Sequence, residues 1–94
     1  MFRHIVFTRF ENPAEQVPVA REMLLKLPAI IPEIVTMEVG ADELHEARSF
    51  DMALTVTFNK KQDLPVYANH PEHVKVREYI GSHARASAAV DYEF

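Results

Sequence analysis

An unbroken alternation of apolar side chains with small or polar ones over residues 50–58 is the feature that most constrains the fold. A β-strand places successive side chains on opposite faces of its sheet, so this alternation predicts a strand with one apolar face. That face has to be buried against another layer of the protein. Its members are Phe50, Met52, Leu54, Val56 and Phe58.

A second predicted strand, residues 2–10, carries large apolar side chains on both of its faces. Val6 and Phe10 share one face of this strand. Ile5 and Phe7 share the opposite face. A sheet that contains this strand therefore needs cover on both sides.

Two shorter patterns complete the set of predicted strands. Residues 34–39 are rich in β-branched side chains and lie between Pro32 and Gly40, which are typical boundaries of a strand. Residues 88–94 alternate between apolar side chains and small or acidic ones, which indicates a strand at the end of the sequence.

The first helical region follows the segment ENPAEQVP. Both Pro13, which follows Asn12, and Pro18 suit the first turn of a helix, so the sequence leaves the start of this helix open. Apolar residues at helical spacing then predict an amphipathic helix that ends before Pro28.

The second helical region is predicted in two pieces, a short helix over residues 64–69 and a longer helix up to Ile80 that Gly81 ends. The complete order is then β-α-β-β-α-β. This order predicts a ferredoxin-like α+β domain, with a four-stranded antiparallel sheet and both helical regions on one face. Residues 1–94 are predicted to form a single domain.

Helices on one face leave the other face of the predicted sheet uncovered. Ile5 and Phe7 would make that open face apolar, and a large exposed apolar patch marks an interaction site. We therefore expect a homodimer in which two copies pack through the open sheet face.

Composition and charge exclude several classes of function. With 10 Lys and Arg against 14 Asp and Glu the formal net charge is -4, which argues against nucleic acid as a partner. The absence of cysteine excludes thiolate catalysis, and two glycines are too few for the loops that bind phosphates or dinucleotides. No run of apolar residues is long enough to cross a membrane, so we predict a cytoplasmic protein without membrane contact. Among enzymes, cofactor-free proton transfer or a chemistry without a recognisable motif remains.

The segment ANHPEHVKV carries the most informative side chains. Pro71 suits the first position of a helix, which makes His70 the N-cap residue and places His73 in the first turn. The helix dipole disfavours a protonated His73, and a neutral imidazole can accept a proton. No metal site is predicted, because Pro71 holds His70 outside the helix and no third ligand lies nearby in the sequence.

Two further residues are candidates for chemistry. His4 lies on the strand face that carries Val6, and Tyr67 lies near the end of the short helix. Each also suits a structural role, because a strand histidine can be a hydrogen-bonded core residue and a tyrosine ring fills a core. The two residues alone leave both interpretations open.

The segments RHIVFTRF, IPEIVTMEVG, FDMALTVTF, YANHPEHVKV and AAVDYEF, in this order, resemble the stress-responsive A/B barrel domain family, also called Dabb. The resemblance covers nearly the whole chain. It implies a ferredoxin-like protomer, a homodimer whose two sheets form a dimeric α/β barrel, and a pocket between sheet and helices for a small hydrophobic or polyketide-like ligand.

One plant member of that family, olivetolic acid cyclase, closes a linear polyketide into an aromatic ring by an aldol step without a cofactor. Likeness to this enzyme implies catalytic roles for His4, Tyr67 and His73. Met52 and His70 are predicted to contact the ligand. Met52 stands where the cyclase has a further pocket histidine. Three functions therefore stay open: a binding protein with an unassigned activity, a cyclase-like proton-transfer enzyme, and a purely structural stress protein.

Overall fold

The computed structural model describes residues 1–94 and contains one four-stranded antiparallel sheet with helices packed on one face. Its elements are β1 (Phe2–Phe10), α1 (Pro13–Leu25), a short 3-10 turn (Leu27–Ala29), β2 (Ile34–Ala41), β3 (Met52–Phe58), α2 (Asp63–Ala68), α3 (Pro71–His83) and β4 (Ala84–Glu93). The strands lie in the order β2-β3-β1-β4. This is the predicted ferredoxin-like α+β arrangement, with the second helical region divided in two as expected.

The helix-facing side of the sheet forms the core. The alternation predicted for β3 is present, because Met52, Leu54 and Val56 are all buried on that side. The strand begins at Met52 rather than at residue 50. Just before it, the Asp51 carboxylate accepts a hydrogen bond of 2.7 Å from the backbone N–H of Phe10. Other large members of the core are Phe2, Leu24, Leu27, Ile31, Phe58, Tyr67 and Val76.

Helix α1 begins at the earlier of its two candidate prolines, Pro13. The side-chain oxygen of Gln16 accepts a hydrogen bond of 2.9 Å from the backbone N–H of Asn12, which stabilises a first turn at this point. Pro18 therefore lies inside the helix. None of the helices is both long and apolar enough to span a membrane.

Helix α3 continues past Gly81 to His83, so the predicted end at Ile80 is wrong. A glycine ends a helix when it adopts a positive φ, and Gly81 does not. The helix ends instead where Ala84 becomes extended and enters β4, four residues before the predicted start of that strand. His83 is half-buried, and its Nδ1 atom lies 3.1 Å from the side-chain nitrogen of Gln16.

The face of the sheet that points away from the helices is open and apolar near its centre. Ile5 of β1 pairs in register with Val90 of β4, and the two side chains lie on this face beside Phe7. Val90 is 58% exposed and Phe7 is 41% exposed. The single chain thus leaves apolar sheet surface uncovered, as the sequence predicts.

Candidate functional site

A cavity of about 290 Å³ lies between the sheet and the helices. It brings together four predicted site residues: His4 from β1, Met52 from β3, Tyr67 from α2 and His73 from α3. A larger depression of about 590 Å³ beside α1 contains none of the histidines. The smaller cavity is near the lower limit for small-molecule sites, roughly 300–1,000 Å³. Its apolar wall includes Val6, Leu24, Leu54 and Ile80.

His73 presents one free ring nitrogen. Its Nδ1 lies 2.9 Å from the backbone oxygen of Ala68, and because a carbonyl oxygen only accepts, Nδ1 carries the proton. In the neutral ring, Nε2 then has its lone pair available. Burial lowers the pKa of His73 below the usual 6.5, and the nearby positive charge of Arg77 lowers it further, while the Ala68 hydrogen bond acts in the opposite direction. His73 is therefore a neutral base at physiological pH.

Tyr67 supplies a hydroxyl with no partner. The residue is 1% exposed, and its buried oxygen makes no hydrogen bond. The ring centroid lies 4.2 Å from that of His73 and 6.3 Å from that of His4. Burial raises the pKa of Tyr67 well above its usual value, so the side chain stays a neutral phenol that can donate a hydrogen bond.

We expect Tyr67→Phe to raise the free energy of unfolding by about 1 kcal/mol, because a buried hydroxyl without a partner destabilises the folded state. Urea unfolding followed by circular dichroism measures the change. Tyr79→Phe is the control, since Tyr79 is a half-buried tyrosine of α3 outside the cavity, and little change is expected there. A loss of stability in Tyr67→Phe would mean that the hydroxyl has a partner in the folded protein.

His4 is held by Asp91. The two residues are opposite each other in the antiparallel pair β1 and β4, and the Nδ1 atom of His4 hydrogen-bonds to a carboxylate oxygen of Asp91. A carboxylate accepts, so Nδ1 carries the proton and the orientation of the ring is fixed. Sequence reasoning missed Asp91. Its alternating position in the last strand would have revealed it only if the register against β1 had been worked out.

His70 and Met52 occupy different surroundings. The Nδ1 atom of His70 accepts a hydrogen bond of 3.1 Å from the backbone N–H of Glu72, which confirms the predicted N-cap. His70 is not among the residues that line the cavity, whereas Met52 lines it with a side chain that is 3% exposed. His, Asp and Glu side chains form no group of three that could hold a metal ion.

Arg77 also lines the cavity, and sequence reasoning missed it. It lies four residues after His73, a spacing that places both side chains on one face of α3. That spacing was visible in the sequence.

Comparison with known proteins places the chain in a family. The sequence model of the Stress responsive A/B Barrel Domain matches residues 2–94. The chain belongs to this family. The stress-responsive A/B barrel assignment confirms the resemblance seen in the sequence. A comparison with curated proteins found no match.

Solved structures of this A/B barrel fold are close in shape. A dimeric ferredoxin-like protein of unknown function from Thermobifida fusca is 28% identical, with a TM-score of 0.88 over 99% of this chain and 90% of that one. A dimeric protein of unknown function and ferredoxin-like fold from Bacteroides fragilis is 31% identical, with a TM-score of 0.82 over 99% and 95%. A hydroxynitrile lyase from Passiflora edulis is 22% identical, with a TM-score of 0.83 over 97% and 90%, a likeness of fold alone.

Proposed function

We propose that this A/B barrel protein is a cofactor-independent acid–base catalyst that removes a proton next to the carbonyl group of a small polyketide-like or β-dicarbonyl compound. One observation carries the proposal: the free Nε2 of a neutral His73 and the unpartnered hydroxyl of Tyr67 belong to adjacent rings in one cavity. Buried hydroxyl groups without a partner are uncommon in folded proteins, and an oxygen atom of a bound ligand would supply the missing partner.

Each polar group has a defined part in such a reaction. Nε2 of His73 accepts the proton from the carbon next to the carbonyl. The hydroxyl of Tyr67 donates a hydrogen bond to the oxygen on which the enolate charge develops, and low polarity around the cavity strengthens that bond. His4, oriented by Asp91, presents its second ring nitrogen to the ligand and fixes its position.

The substrate has to be largely apolar, because Met52, Leu54 and Ile80 form much of the wall. The same wall supports a second candidate function, the binding of such a compound without turnover. Enzymes exist on this fold, since the Passiflora edulis neighbour is a hydroxynitrile lyase. Stress response and cytoplasmic location stay predictions.

We further propose that the protein works as a homodimer that closes its open sheet face. The neighbours from Thermobifida fusca and Bacteroides fragilis are dimeric, and the exposed side chains of Phe7 and Val90 are the surface that a second copy would cover. Two sheets packed in this way form the barrel.

The test of the catalytic proposal is proton exchange. A panel of β-dicarbonyl compounds and methyl ketones is incubated with the protein in D2O, and loss of the α-proton signal is followed by NMR. We expect saturable exchange above the buffer rate, retained as the pH falls just below 6.5, because burial lowers the pKa of His73 and keeps its base form present. Exchange no faster than with free imidazole for every compound would contradict the proposal.

A further inference from the structure

The guanidinium group of Arg77 is a positive charge on the cavity that has no acidic partner. Arg77 takes part in none of the ion pairs of the structure. Its one hydrogen bond, of 3.4 Å, runs from Nη1 to the backbone oxygen of Ala68, the same atom that accepts from Nδ1 of His73. The guanidinium group and the proposed base therefore meet at a single carbonyl group.

The surroundings of Arg77 do not neutralise its charge. The residues three and four positions away on α3 are His73, Val74, Ile80 and Gly81, none of them acidic. No Asp or Glu lines the cavity, and the nearby carboxylate of Asp91 is bonded to His4. In a chain with a net charge of -4, this cavity instead gathers an arginine and two histidines.

We infer that the ligand of this cavity is a small organic carboxylate, whose anionic group binds Arg77 while its hydrocarbon part lies against Leu54 and Ile80. The inference rests on the proposed function, which makes the cavity a ligand site. Arg77 is one helical turn from His73, so a short carbon chain whose carboxylate binds Arg77 would also contact the ring of His73. An oxo acid, with a ketone and a carboxylate in one short chain, satisfies both residues.

Binding by matched acids and amides tests the inference without any turnover. Hexanoate and hexanamide, and benzoate and benzamide, are titrated into 15N-labelled protein, and the shifts of backbone amides are followed by NMR. We expect each acid to bind about twofold to fivefold more tightly than its amide, as is typical of one exposed charge-assisted contact, because Arg77 is exposed at the rim of the cavity. Added salt should weaken the binding of the acids and leave the binding of the amides unchanged.

Two variants test whether the preference for acids over amides comes from Arg77. Arg77→Gln keeps a polar side chain and removes the charge, and it should bring the affinities of acid and amide together. Arg85→Gln removes an exposed arginine that does not line the cavity, and it should leave the preference for acids intact. Equal binding of acid and amide by the wild type, an unchanged preference in Arg77→Gln, or no binding of any acid would overturn the inference. Proton exchange of neutral ketones would stand in each case, because it depends on His73.

Discussion

His73→Asn is expected to lower the rate of proton exchange by about 10²–10⁴-fold, the usual contribution of a general base. The substitution removes the basic ring nitrogen of His73 and keeps a hydrogen-bond donor at this position. The side-chain NH2 of asparagine can still donate to the carbonyl oxygen of Ala68, as Nδ1 of His73 does. What it lacks is the lone pair of Nε2, so the fold should be retained while the base is lost.

The matched control for this variant is His45→Asn. His45 is exposed in the loop before β3 and has a φ of 52°, a backbone conformation that asparagine tolerates well. Exchange rates are compared at the same pH, together with the thermal midpoints of all three proteins. A rate for His73→Asn within threefold of the wild type, at equal stability, would remove His73 from the role of base.

The pH dependence of stability gives His73 a second signature. Its pKa in the folded protein lies below the usual 6.5 of the unfolded chain, so the unfolded state binds the proton more readily. The stability that comes from a neutral, buried His73 is therefore fully present above pH 6.5 and declines as the pH falls through the folded pKa. In His73→Asn that part of the acid dependence should be absent.

The side chains of the cavity were largely predictable, because their patterns are local. Pro71 after His70 sets the start of α3, and the start of α3 sets the position of His73. His4 follows from the alternation of β1, which turns its even-numbered residues towards the helices. The contact between Asp91 and His4 could not be predicted in this way. It depends on the register of β4 against β1, which no local pattern specifies.

The order of strands and helices could be predicted from the sequence pattern, but the ends of individual elements could not. Alternation predicted β1, β3 and β4, and β-branched content predicted β2, yet helix α3 continued through the expected stop at Gly81. A glycine permits a helix end without requiring one. In this chain the last turn is held to the connection between β1 and α1, where the backbone oxygen of His83 accepts a hydrogen bond of 2.9 Å from the N–H of Glu11. Such a tertiary contact is invisible to a local pattern.

The second large effect is expected on dimerisation, from a charge placed on the open face of the sheet. Strand β4 is exposed along nearly its whole length, and Val90 near its middle is 58% exposed in the single chain. A charge at this position is thus tolerated by the protomer itself. In a face-to-face homodimer it would be removed from water, and because a two-fold interface contains every position twice, each dimer would carry two such charges.

We therefore expect Val90→Lys to weaken dimerisation by about 100-fold, since an unpaired charge withdrawn from water costs several kcal/mol. The neighbouring side chains on the open face, Ile5, Ala88 and Tyr92, offer no carboxylate to pair with it. Sedimentation velocity over a range of concentrations measures the shift from dimer to monomer. Val66→Lys is the control, because Val66 is 47% exposed on α2, on the helix side of the sheet, and the same substitution there should leave the dimer intact. A wild-type protein that is monomeric at micromolar concentration, or an undiminished dimer in Val90→Lys, would mean that this face is not the interface.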